Sequence, residues 1–179
     1  MPQLIVLNGP PAVGKSTIAR QYVAGHPLAL RIDIDEIRDA LGAWRQAAPA
    51  AGLRARALAT AMARDHLCAG HDVVVAQLYG QPDHLDQLAN IASELGAVYR
   101  EIVLMTDVAS TLERFSRRGG LRLEEALQAP GGLESIAALH ERVENLTQIR
   151  PQSLVVHSIT GDAAATYEAV LDATRIRPE

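Results

Sequence analysis

The stretch Gln3-Leu4-Ile5-Val6-Leu7-Asn8-Gly9-Pro10-Pro11-Ala12-Val13-Gly14-Lys15-Ser16-Thr17 decides how this chain is read. Its first six residues are almost all apolar and short, the signature of a strand buried on both faces. Residues 9–16 then fit G-x-x-x-x-G-K-[ST] without a mismatch, and an amphipathic helix is expected from Lys15 to Ala24. A glycine-rich loop between a strand and a helix turns tightly and brings backbone amides close to an anion. The spacing therefore predicts a polyphosphate cradle formed by Gly9, Pro10, Pro11, Ala12, Val13, Gly14, Lys15, Ser16 and Thr17. Lys15 would bridge the β- and γ-phosphates, Ser16 would join a Mg²⁺ shell, and Thr17 would add a phosphate contact.

Composition singles out the same place. Lys15 is the only lysine among 17 basic residues. A chain that writes every other basic position as arginine keeps lysine where a compact point charge must enter a narrow site.

The rest of the chain alternates short apolar runs with amphipathic segments. Strands are expected at residues 3–8, 29–34, 72–77, 98–105 and 153–157. Helices are expected at residues 36–41, 53–69, 83–95, 107–118, 133–150 and 162–174, with 42–51 irregular. Strands separated by helices require crossovers, and hence a parallel sheet covered on both faces. The expectation is one α/β doubly wound domain over residues 1–179, with a mobile lid around 114–132.

Arg31-Ile32-Asp33-Ile34-Asp35-Glu36-Ile37-Arg38 closes the second strand. Ligands in such sheets bind beyond the carboxyl ends of the strands, which brings this segment beside the phosphate loop. Asp35 is read as the cap of the short helix, with Arg38 beside it on the first turn. A carboxylate there can orient a hydroxyl and take its proton, and an arginine can hold a polar or anionic acceptor. Arg114 and Arg118 lie four apart, on one helix face, and are read as lid arginines over the nucleotide, with Arg117 and Arg122 behind them. The third strand ends in Gln77 rather than an acidic residue, so Asp33 is the candidate for the missing charge near Mg²⁺. Gln77, Tyr79 and Gln81 are candidates for the acceptor pocket. Trp44 is either a cap on that pocket or a core anchor, and Arg54, Arg56 and Arg64 read as a solvated face.

GPPAVGKST, DIDEIRDAL and RFSRRG, in this order, resemble the small P-loop kinases of the adenylate-kinase-like group. That group includes chloramphenicol phosphotransferase, zeta-toxin, gluconate, adenylylsulfate and phage-type polynucleotide kinases. The resemblance implies ATP and Mg²⁺ as cofactors and strand order 2-3-1-4-5. It also implies a catalytic base at Asp35, acceptor binding by Arg38, lid roles for Arg114 and Arg118, and adenine contacts from the loop at Ser158–Gly161.

Composition bounds the alternatives. With 179 residues, 48% hydrophobic and 21% charged, the chain suits one buried core. No apolar run approaches a membrane span. The net charge of −4 gives no electrostatic reason to expect nucleic acid, though it does not exclude it. Cys68 is the only cysteine, so no internal disulfide forms, and a cytoplasmic setting fits; Cys68 itself is expected to be a small buried residue. The leading expectation is transfer of the γ-phosphoryl group of ATP to a hydroxyl of a small molecule: an antibiotic, a nucleoside or a sugar-like compound. The rivals are a polynucleotide 5′-hydroxyl kinase and a partner-dependent P-loop ATPase switch. A GTPase lacks its base-reading N-K-x-D, since Lys15 is already used.

Overall fold

The computed structural model describes residues 1–118, 134–159 and 161–175. Five strands run Gln3–Asn8 (β1), Leu30–Ile32 (β2), Val73–Ala76 (β3), Val98–Met105 (β4) and Leu154–His157 (β5). Seven described helices run Lys15–Gly25 (α1), Ile34–Asp39 (α2), Ala48–Cys68 (α3), Asp83–Glu94 (α4), Val108–Arg118 (α5), Glu134–Ile149 (α6) and Ala163–Arg175 (α7). The strands form one sheet in the order β2-β3-β1-β4-β5. Every pairing is parallel, with Leu4 opposite both Val73 of β3 and Tyr99 of β4. This is the expected doubly wound architecture, and the parallel arrangement puts all five strand C-termini on one edge.

The two faces of β1 explain its composition. Leu4 and Val6 enter a core with α3, α4 and Leu146 of α6, while Ile5 and Leu7 enter a second core with α1 and Val170 and Ala173 of α7. All four are at most 1% exposed. At roughly 1.5–3 kcal/mol per fully buried aliphatic side chain, none of these four positions can be polar without loss.

Helix α3 begins five residues earlier than the sequence reading placed it. Pro49 lies in its first turn, where no amide partner is needed, and the alanines around it favour helix. Ala51, Ala55, Ala59, Ala63 and Leu67 form its buried stripe at strict four-residue spacing. Cys68 follows Leu67, turns off that stripe and is exposed, which corrects the expectation of a buried thiol. Strand β2 ends at Ile32, two residues sooner than expected, so α2 starts at Ile34.

A buried ion pair locks three elements together. Arg150, just after α6, donates to both carboxylate oxygens of Glu101 in β4 at 2.8–3.0 Å and to Asp86 of α4 at 2.6 Å. The hydrogen bonds to Glu101 chiefly raise the Arg150 pKa above its ordinary value. Among the described residues, no helix is long and apolar enough to cross a membrane.

Candidate active site

The phosphate loop sits between the end of β1 and the start of α1. Gly9 has φ 145°, and a Cβ there would stand 2.3 Å from the Leu104 carbonyl oxygen of β4, so only glycine fits. Gly14, with φ 111°, is the N-cap of α1 and brings no side chain to the helix terminus. No side chain therefore caps this terminus, the positive end of the helix dipole, where an anion is favoured. Lys15 folds back over the loop, its Nζ donating to the carbonyls of Gly9 and Pro10 at 2.7 and 2.8 Å. The hydroxyl of Ser16 makes no hydrogen bond to the described residues, and Thr17 is exposed at the rim.

At the end of β2 the structure moves the helix cap from one carboxylate to another. Asp33, not Asp35, is the N-cap of α2, its Oδ1 accepting from the amides of Asp35 and Glu36 at 3.1 and 3.4 Å. Its Oδ2 lies 3.5 Å from Arg31. Capping is thereby removed from Asp35, whose carboxylate instead pairs with Arg38 at 2.9 Å, one turn along the helix. Arg38 belongs to the last turn of α2 rather than the first. Its guanidinium lies 4.3 Å from the centre of the Trp44 ring, and Arg45 stacks on the same ring at 4.5 Å. Trp44 is part of no described core cluster, so it is not a core anchor; its ring holds Arg38.

On the other side of the loop, Arg114 of α5 donates to Ser158 Oγ at 3.1 Å and lies 3.5 Å from the Val13 carbonyl. Ser158, after β5, donates to the same carbonyl at 3.0 Å. These residues border a cleft of about 250 Å³, shared with Gly14, Thr17 and Gly161. Arg117 forms an exposed ion pair with Glu113 at 2.7 Å. The side chain of Arg118, and Arg122 with most of the expected lid, lie outside the described residues, as does Thr160.

A larger cavity, about 640 Å³, opens between α3, the segment after β3, and α4. Its walls include Arg56, Thr60, Tyr79, Gln81, His84 and Gln87. Burial pushes the Tyr79 phenol above its ordinary pKa, with Arg56 pulling the other way. Burial lowers the His84 pKa, opposed by the hydrogen bond that Gln87 Oε1 accepts from its ring and reinforced by Arg56. Arg54 and Arg64 are solvent-facing as expected, and Arg56, although exposed, contributes to this wall. Gln77 is half-buried, its backbone N–H donates to the Leu7 carbonyl at 3.2 Å, and it does not line this cavity.

Two contributions went unread in the sequence. Asn8 is fully buried and ties Gly9 to Tyr79; the available signal was a polar residue closing an otherwise apolar strand. His84 gave no signal, because its place in the cavity wall depends on how α4 packs.

The AAA domain family model matches residues 4–146. No curated protein sequence matches the chain. Among solved structures, a gluconokinase from Sinorhizobium meliloti 1021 superposes with TM-score 0.63 at 19% identity, over 97% of this chain and 93% of that one. A chain of the Pnkp1/Rnl/Hen1 RNA repair complex gives 0.66 at 20% identity, covering 83% of this chain and 46% of the other. The Deinococcus radiodurans tunicamycin resistance protein gives 0.53 at 12% identity, over 97% and 94%. A phosphate loop at the end of β1, a parallel sheet ordered 2-3-1-4-5 and a family match over most of the length lead to one assignment: the chain belongs to the AAA domain family and has the fold of its small P-loop kinases.

Proposed function

We propose that this protein is an ATP-dependent phosphotransferase that moves the γ-phosphoryl group to a hydroxyl of a small molecule. The observation that carries this reading is the arrangement of the Lys15 loop and the Asp35–Arg38 pair on one edge of the sheet, at the ends of β1 and β2. The α1 amides and Lys15 would hold the triphosphate, and the cleft beside Arg114 and Ser158 would take the base. Arg118 would join Lys15 in stabilising the transferring group. The acceptor would lie in the cavity walled by Tyr79 and Gln81, its reacting hydroxyl on Asp35. As the acceptor oxygen bonds to the γ-phosphorus, the β–γ bridging bond breaks, ADP leaves, and the hydroxyl proton passes to the Asp35 carboxylate. Arg38 would hold Asp35 in place and meet the acceptor.

The residues present fit Mg²⁺ in a restricted way. The Ser16 hydroxyl is uncommitted among the described residues, and Asp33 retains one oxygen turned to Arg31 rather than to the helix cap. Among the described residues, no group of three His, Cys, Asp or Glu side chains forms a metal cage. An ion held mainly by nucleotide phosphates, with Ser16 and a water-mediated Asp33, matches this donor set. When bound, Mg²⁺ neutralises phosphate charge.

The gluconokinase among the structural neighbours supports a small-molecule acceptor. The RNA repair complex favours a second reading, a polynucleotide 5′-hydroxyl kinase, against which the net charge of −4 weighs. The test offers γ-labelled ATP with sugars, sugar acids, nucleosides and 5′-hydroxyl oligonucleotides. Label on a small alcohol is expected. Label on the oligonucleotide overturns the small-molecule reading, and hydrolysis alone, stimulated by a protein partner, favours the ATPase switch.

A further inference from the structure

Asn8 closes β1 with no solvent exposure, and its carboxamide joins two segments 71 positions apart. Oδ1 accepts from the amides of Gly9 at 2.7 Å and Tyr79 at 2.8 Å, and Nδ2 donates to the Tyr79 carbonyl at 3.1 Å. Three of the four hydrogen-bonding positions of the side chain are filled, all by backbone. An apolar residue would serve the strand as well, so the buried amide is explained by the two segments it joins.

One of those segments is the phosphate loop. Gly9 is packed hard against the Leu104 carbonyl, and the carbonyls of Gly9 and Pro10 both accept from the Lys15 ammonium. A triphosphate is a stronger partner for that ammonium than a peptide carbonyl. As Lys15 turns toward phosphate oxygens, the charge facing these two peptide groups changes, and Gly9 is the residue whose amide Asn8 holds. The other segment is a cavity wall. The Tyr79 hydroxyl and His84 Nε2 are both closed off from solvent without a hydrogen-bond partner among the described residues, and their rings stand 5.4 Å apart. A wall with unmet hydrogen bonds has something to gain by shifting.

We propose that Asn8 is a positioning residue that couples the two substrate sites: nucleotide on the phosphate loop sets, through Asn8, the conformation of Leu78–Gln81 and so the shape of the acceptor cavity. The coupling deepens the phosphotransfer reading and rests on nucleotide occupying that loop. By linkage, an occupied cavity tightens nucleotide binding by the same factor.

Hydrogen–deuterium exchange on the full chain, with and without saturating Mg²⁺ and adenylyl imidodiphosphate, tests it. In the unsubstituted protein, amides of residues 78–81 are expected to exchange about fivefold slower, or slower still, with nucleotide. Asn8→Ala is expected to bind the nucleotide at saturation yet shrink that ratio below about twofold. Asn8→Asp has the same shape without the donor to the Tyr79 carbonyl; it is expected to lose the response too, and it carries the test should the alanine variant not fold. A merely structural Asn8 would raise exchange with and without nucleotide alike, leaving the ratio intact. A wild-type ratio in either folded variant, or nucleotide binding with no response at residues 78–81 in the unsubstituted protein, overturns the coupling alone. No nucleotide binding in the unsubstituted protein overturns the phosphotransfer reading and the coupling with it.

Discussion

The two halves of the candidate site are built in different ways. The proposed nucleotide half is almost all backbone: nine consecutive residues, two glycines at positive φ, and a terminus of α1 that no side chain caps. The proposed acceptor half is almost all side chain: a cavity walled by α3, the segment after β3, and α4, and the Asp35–Arg38 pair on α2. Backbone geometry is written locally and changes little with neighbouring sequence. A pocket of side chains from three segments can be rewritten while the loop keeps its own backbone geometry. One phosphate-binding scheme can therefore serve many acceptors.

The sharpest way to break this division is at Lys15. Lys15→Ala should lower phosphoryl transfer by about 10³-fold or more, with a matching loss of nucleotide affinity by calorimetry. Lys15→Arg should rescue little, since the planar guanidinium does not replace a compact ammonium above Gly9 and Pro10. Full activity in either variant would mean that the backbone cradle alone binds and activates the phosphates.

Asp35→Asn tests the other half. The transfer rate should fall by about 10²–10³-fold while nucleotide affinity stays within about twofold. A loss of nucleotide affinity comparable to that of Lys15→Ala would show that the halves are not separable at this residue. No change in rate would reduce Asp35 to the ion-pair partner of Arg38.

The same division accounts for what could be read from the sequence. The β1–loop–α1 unit was legible because its chemistry lies in one uninterrupted stretch, and the alternation of apolar runs with helices gave the parallel sheet. The strand order came from resemblance, because periodicity carries no information about which strands are neighbours. Exchanging Asp33 for Asp35 as the cap turned on where β2 stops, a two-residue difference that hydrophobic pattern does not resolve. The start of α3 was hidden because Pro49 reads as a breaker unless it is known to stand in the first turn. The exposure of Cys68 followed from the register of the alanine stripe, which only the packed helix fixes. Arg56 and His84 reach one cavity by tertiary packing alone, and no local pattern encodes it.

A third perturbation, smaller, acts on the support of the acceptor half. Arg150 holds Glu101 in the sheet and Asp86 on α4, the helix that brings His84 to the cavity. The Glu101 side chain is 1% exposed, so Arg150→Met would leave a carboxylate buried without its partner. A loss of about 3 kcal/mol in urea unfolding is expected. Replacing both residues, Arg150→Met with Glu101→Leu, should recover part of it, because the cost lies in the orphaned charge rather than in the lost attraction.

The smallest effect should come from Trp44→Leu. Its ring faces the guanidiniums of Arg38 and Arg45 in a partly solvated setting, where such contacts contribute about 0.5–1 kcal/mol. Arg38 would keep its pairing with Asp35 at 2.9 Å and lose only the surface that fixes its direction. The KM for whichever alcohol accepts the label should rise about two- to fivefold, with kcat and the KM for ATP nearly unchanged. A fall in kcat instead would mean that the ring orients Asp35 itself through Arg38. The acceptor half would then be tuned from its rim, in contrast to a phosphate loop whose geometry is fixed from within by Gly9 and Gly14.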